Sequence, residues 1–126
     1  MDTVSLAVNG TLMRGLALNQ NLLHVGATFQ HEAWTAPQYR LWSIDERYPA
    51  MQRVTTGGVA IALEVWAVPA QHLVSILQQE PPGLGIGMVL LADGTSVLGV
   101  LGEAYVCEGQ REITAWGGWR AYMQHQ

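Results

Sequence analysis

Two glycines within six residues, Gly10 and Gly15, interrupt the chain just after an apolar run from Val4 to Val8. Glycine lacks a Cβ, so it reaches positive φ and lets other groups approach the backbone. A strand that ends in such a turn, Val8-Asn9-Gly10-Thr11-Leu12, offers consecutive N–H groups that can cradle an anion or a carbonyl oxygen. The same glycines also suit a plain connecting turn. A second residue of chemical interest is Glu80, which closes a helical apolar pattern directly before Pro81-Pro82. A carboxylate at a helix C-terminus opposes the helix dipole. Residues that break a local rule are candidates for function, although surface glutamates at helix ends are ordinary.

Other chemistries find no residues to carry them. His24, His31, His72 and His125 show no zinc-ligand spacing, and Cys107 has no second cysteine to join it. The six basic residues are all Arg, so a phosphate-binding loop ending in Gly-Lys-Ser/Thr is excluded. Ser5, Ser43, Ser75 and Ser96 stand in no nucleophile-elbow context. Nothing in the pattern places a histidine against Cys107, whose strand-like surroundings suit a buried structural thiol. Chemistry built on one carboxylate and an amide-lined turn survives, with no metal and no cofactor expected.

The elements that would position these groups read mostly as strands. Ser5 to Val8 enters the glycine turn, and Leu16 to Leu23 reads as an irregular loop or short helical turn that Asn19 could cap. Gly26 to Thr35 is β-rich. Tyr39 to Ile44 alternates, with Tyr39, Leu41 and Ser43 opposite Arg40, Trp42 and Ile44. The Arg40 charge therefore either snorkels to an edge or meets a carboxylate. Asp45 to Met51, with Pro49, reads as a loop. Val59 to Val68, introduced by Gly57-Gly58, is apolar on both faces and reads as a covered central strand. Glu64 is the anomaly on it, expected at a rim or paired with an arginine.

Pro69 is predicted to open a helix running to Gln79, with Leu73, Val74, Ile76 and Leu77 on its apolar face. Met88 to Ala92 and Ser96 to Leu101 flank Asp93-Gly94, a strong hairpin signal. Glu103 to Cys107 is predicted as a further strand, and Thr114 to Met123 as a short C-terminal helix docked by Trp119 and Tyr122. Six or seven strands with one convincing helix do not alternate as a doubly wound fold would. The expected fold is α+β, with a small mixed β-barrel or strongly bent sheet and flanking helices.

At 126 residues, 49% of them apolar, the chain suits a single domain over 1–126 with a real core. Net charge is −4 and no basic run occurs, which argues against nucleic acid or an anionic membrane surface as partner. No apolar run is long enough to span a membrane, and a cytoplasmic location is the expectation. Five Trp at low charge leave room for a self-association surface.

Asn9-Gly10-Thr11-Leu12-Met13-Arg14-Gly15 resembles the Tyr-Gly-Thr-Leu-x-x-Gly turn of gamma-glutamylcyclotransferase-like proteins. Leu63-Glu64-Val65-Trp66-Ala67-Val68 resembles their Gly-Glu-Val-Tyr-x-Val strand, and Glu80 falls where they place a catalytic Glu. A closer resemblance is to the C-terminal domain of allophanate hydrolase. It is carried by Thr35 to Leu41, Glu64 to Pro69, Leu84 to Gly87, Leu91 to Gly94 and, most specifically, Ile113-Thr114-Ala115-Trp116-Gly117-Gly118-Trp119-Arg120-Ala121-Tyr122. With no amidase stretch ahead of these segments, a stand-alone relative of that domain is expected. Asn9 stands where the cyclotransferase turn has Tyr, and Leu12 where the allophanate hydrolase turn has a His tied to decarboxylation.

The resemblance implies the cyclotransferase-like fold with a pocket at the glycine turn. Asn9, Gly10, Thr11 and Leu12 would bind the carboxylate or carbonyl oxygen of a small amide or carbamate-type substrate, and Glu80 would shuttle a proton. Tyr39 and Arg40 are further substrate-binding candidates; Glu64 is an alternative partner for Arg40. Two other readings stand beside this one. The chain could be a non-catalytic binding or assembly module, a homo-oligomer among the options, or it could decarboxylate N-carboxycarbamate beside a separate amidase.

Overall fold

The computed structural model describes residues 2–125. Five strands form a mixed sheet in the order β2-β5-β1-β7-β6. They are β1 (Thr3–Val8), β2 (Thr28–Trp34), β5 (Ala62–Pro69), β6 (Leu84–Leu90) and β7 (Ser96–Gly102). β1 lies in the middle, antiparallel to β5 and parallel to β7. Its last three residues, Leu6, Ala7 and Val8, are almost fully buried. A strand covered on both faces satisfies its backbone only through its neighbours, which is why apolar side chains alternate with nothing polar there. Gly99 in β7 is needed for this packing. A Cβ there would stand 2.5 Å from Val89 Cγ2 and 3.2 Å from the Ala7 carbonyl oxygen.

A second sheet has the order β4-β3-β8, with β3 (Tyr39–Ile44), β4 (Tyr48–Arg53) and β8 (Arg111–Glu112). The alternation read for β3 holds from Tyr39 to Ser43, since Tyr39, Leu41 and Ser43 are buried while Arg40 and Trp42 are half-exposed; Ile44, read on the Arg40 side, is buried as well. The large sheet bends until its edge strands touch. Thr35 and Leu91 form one bridge, with Ala36 N–H donating to the Leu90 carbonyl and Ala92 N–H to that of Trp34, both at 2.9 Å. No continuous ladder follows, so of the two architectures expected the bent sheet is observed rather than a closed barrel.

Four short helices flank the sheets: α1 (Asn19–His24), α2 (Leu73–Gln78), α3 (Ala104–Cys107) and α4 (Trp119–Gln124). The last is docked by Trp119 and Tyr122, both buried. None of them is long and apolar enough to cross a membrane.

Several local expectations are corrected. Asp45 to Met51 is not a loop, because β4 begins at Tyr48 and pairs with β3 along its whole length. As an edge strand, β4 tolerates Pro49, which has no N–H to give. The turn before it holds Asp45 at φ 52° and Glu46 at φ 59°. Hydroxyls of Ser43 and Tyr122 donate to the Glu46 carboxylate and fix that conformation. Glu103 to Cys107 contains α3 rather than a strand, since apolar runs this short do not discriminate by period. Pro69 ends β5 in an extended conformation; a 3-10 turn, Ala70–His72, leads into α2. Asn19 does not cap α1, whose cap position is Leu18; its amide reaches back to the Leu12 carbonyl at 2.8 Å.

Candidate functional site

The glycine turn begins where β1 leaves the sheet, one residue past the last ladder pair, Val8 with Glu64. Asn9 is buried, and its Nδ2 donates to the Val100 carbonyl at 3.0 Å, tying the turn to β7. Three of the turn's carbonyls are engaged: Gly10 accepts from Met13 N–H (3.0 Å), Thr11 from Leu18 N–H (2.9 Å) and Leu12 from Asn19 Nδ2. The N–H groups of Gly10, Thr11 and Leu12 donate to no group among the described residues. Backbone N–H groups are seldom left without an acceptor, so this asymmetry leaves the turn with donors for an incoming carboxylate or carbonyl oxygen. Gly10 is required by its neighbour, since a Cβ there would lie 2.5 Å from Pro49 Cδ.

Glu80 faces this turn. Gly10, Thr11 and Leu12 line one small cavity with Glu80, Tyr48, Pro49, Leu84 and Val100. The α2 helix and the Pro81-Pro82 stop deliver Glu80, β4 delivers Tyr48 and Pro49, and β1 delivers the turn. At about 10 Å³, the cavity takes a water-sized group, the end of a carboxylate or amide rather than a whole ligand. Oε2 of Glu80 is buried and has no hydrogen-bond partner. Burial pushes the Glu80 carboxyl up to about 7, because ionising a carboxyl with one oxygen shut away from water and donors is costly. Tyr48, half-buried on the same cavity, is likewise raised by burial, then by nearby negative groups including Glu80, and stays a neutral phenol.

The other candidates lie elsewhere. Tyr39 is fully buried, and its hydroxyl accepts from Leu90 N–H at 2.9 Å. Arg40 forks onto the Glu112 carboxylate, with Nε at 2.7 Å from Oε2, and its guanidinium lies 5.5 Å from the Trp42 ring. Neither lines the Glu80 cavity. Glu64 does not pair with Arg40 either. It accepts from Arg14 N–H (2.9 Å), Arg14 Nε, Arg120 Nη2 and Trp66 Nε1 (each 3.1 Å). Tyr48 and Pro49 were missed as cavity residues because Pro49 masked β4; the alternation of Tyr48, Ala50 and Gln52 against Pro49 and Met51 was the available signal.

A bent mixed sheet with β1 at its centre and short flanking helices is a cyclotransferase-like fold. An AIG2-like protein from Mus musculus shares it at TM-score 0.63, with 20% identity over 84% of this chain and 80% of that one. The family model for the allophanate hydrolase C-terminal domain matches residues 4–124, and the chain belongs to that family. A uropathogenic E. coli-specific protein of known structure is 52% identical, with TM-score 0.97 and cover of 100% of this chain and 99% of that one. Urea amidolyase of Saccharomyces cerevisiae is 33% identical over 97% of this chain, which spans 7% of that protein's length.

Proposed function

We propose that the domain holds the carboxylate or carbonyl end of a small amide or carbamate on the free amides of Gly10, Thr11 and Leu12 while Glu80 moves a proton beside it. The observation that carries this reading is the unpartnered Oε2 of Glu80 in the same cavity as those amides. A carboxyl poised near neutrality is populated in both protonation states, which suits general acid–base work. In a cyclotransferase step, the substrate amine attacks the amide carbon, a new C–N bond forms and the old one breaks. Glu80 takes the proton from the attacking nitrogen and returns it to the leaving amine, and the turn amides bind the oxyanion. Purified protein is incubated with gamma-glutamyl amino acids and 5-oxoproline is measured. Product from the native chain and none from Glu80→Gln is expected; equal turnover by both overturns the assignment.

Family membership favours a second reading, decarboxylation of N-carboxycarbamate. There the C–N bond to one carboxylate breaks, the electron pair stays on nitrogen, and the Glu80 acid protonates it as carbon dioxide leaves. Adding the protein to an allophanate-hydrolysing amidase then speeds carbon dioxide release. If the protein neither forms 5-oxoproline nor speeds that release, a non-catalytic binding module remains, recognised by saturable binding of malonate or 5-oxoproline.

A further inference from the structure

The sequence stretch Trp116-Gly117-Gly118-Trp119-Arg120 plays no part in the Glu80 cavity. It forms one wall of a different cleft of about 200 Å³, with Trp34 and the β5 residues Ala62 to Glu64 on the other side. Trp34 is 54% exposed and Trp116 44%. Single exposed aromatics are common, but two sharing one cleft expose a wide apolar surface to water at one place. Neither ring is loose. A Cβ on Gly117 would meet Trp34 Cζ3 at 3.9 Å, so the indole lies against the glycine pair. Trp116 stacks on His125 at 4.8 Å between centroids and meets Tyr122 edge-on at 6.0 Å.

The polar groups narrow the choice of occupant. The charges of Glu64 and Glu32 are offset by Arg14 and Arg120, through ion pairs of 3.0 to 3.1 Å. The cleft therefore has no net charge to offer an ion. Arg120 spends Nη2 on Glu64 and on the Arg14 carbonyl (2.9 Å); its Nε and Nη1 donate to nothing among the described residues. Fixed aromatic walls, a floor of small residues and a guanidinium with spare donors form a recognisable ligand pocket. We propose that this cleft is a second binding site, taking an uncharged planar aromatic or heteroaromatic ring that bears a carbonyl acceptor. The ring stacks against the indoles, and the carbonyl accepts from Arg120.

Nicotinamide is the probe, titrated into ¹⁵N-labelled protein while the five tryptophan indole N–H resonances are followed. The expected result is a saturable shift at Trp34 and Trp116, with Trp42, outside the cleft, unmoved, and binding weakened at least tenfold in Trp34→Ala and in Trp116→Ala. Cyclohexanecarboxamide, the saturated counterpart, shifts them little. Glu80→Gln binds the probe as the native chain does, so failure of the catalytic reading leaves this one standing. Equal binding of the saturated amide, undiminished binding in both tryptophan variants, or no saturable shift overturns the proposal. So does concentration-dependent broadening of Trp34 and Trp116 without probe, which assigns the cleft to contact between copies of the chain.

Discussion

Glu64 and Glu80 are both drawn out of water, and the fold treats them oppositely. The Glu64 side chain is 2% exposed and accepts four hydrogen bonds, two of them from guanidinium groups. Burial by itself raises its pKa, but the Arg14 N–H, the Trp66 indole and the Arg14 side chain outweigh it, and the carboxyl ends below its ordinary value. Glu80 has a buried oxygen with no donor and rises to about 7. Burial is common to the two, so the donors decide the outcome. A fully satisfied buried carboxylate specifies structure. An unsatisfied one beside free amides is held at a cost to stability, which is why the proposed proton transfer is placed on Glu80 and not on Glu64.

The largest effect expected from this contrast is at Glu64. In Glu64→Ala, the Arg14 N–H and Trp66 Nε1–H lose their acceptor and two arginines lose their counter-charge. Breaking a buried pair costs about 4 kcal/mol; because both arginines are partly exposed, about 3 kcal/mol is expected here, a fall of about 10 °C in melting temperature. The lowered pKa sets the sign with pH. This stabilisation is complete above the unfolded value near 4.5 and fades as pH falls below it, so the native and variant melting curves converge in acid.

At Glu80 the sign reverses. The folded pKa lies above the unfolded one, so the native chain loses stability as pH rises from 4.5 towards 7. Glu80→Gln removes that loss and gains about 2 kcal/mol at pH 8, with almost no difference at pH 4.5. The same variant loses turnover by about 100-fold or more if the proton path is as proposed. Parallel melting curves at all pH values would show that Glu80 is solvated and end the contrast. Gly10→Ala comes next. Its Cβ would meet the Pro49 ring at 2.5 Å, and overpacking of this kind costs about 1–2 kcal/mol. It also crowds the cavity, so ligand binding weakens more than the melting temperature suggests.

The features legible in the sequence were local ones. Alternation showed β3, Asp93-Gly94 showed the β6–β7 hairpin, and Glu80 was visible because it defies the helix dipole. Distant interactions were not legible. Glu64 finds Arg14 and Arg120 at separations of 50 and 56 residues, and nothing local distinguishes either from Arg40. β4 was hidden because its edge position, which makes Pro49 acceptable, is a property of the sheet. The left-handed Glu46 before it depends on a hydroxyl donated by Tyr122, 76 residues away. β8, two residues long, is too short for any periodicity to show. That the glycine turn and Glu80 share a cavity follows from β4 pressing Pro49 onto Gly10, which again is tertiary.

Arg40 gives the smallest expected effect and a control for the whole comparison. Its guanidinium is half-exposed, forks onto Glu112 across β3 and β8, and lies outside the Glu80 cavity. Ion pairs in contact with solvent contribute little, because water solvates both charges well when they part. Arg40→Ala is therefore expected to leave the melting temperature and its pH dependence close to native. Turnover and ligand affinity at the glycine turn should also stay unchanged. A loss of affinity in this variant, with the melting curve intact, would mean that the ligand extends from the turn past β4 to β3. In that case the Glu80 cavity would hold only one end of a longer site, and Arg40 would exchange Glu112 for the ligand's carboxylate.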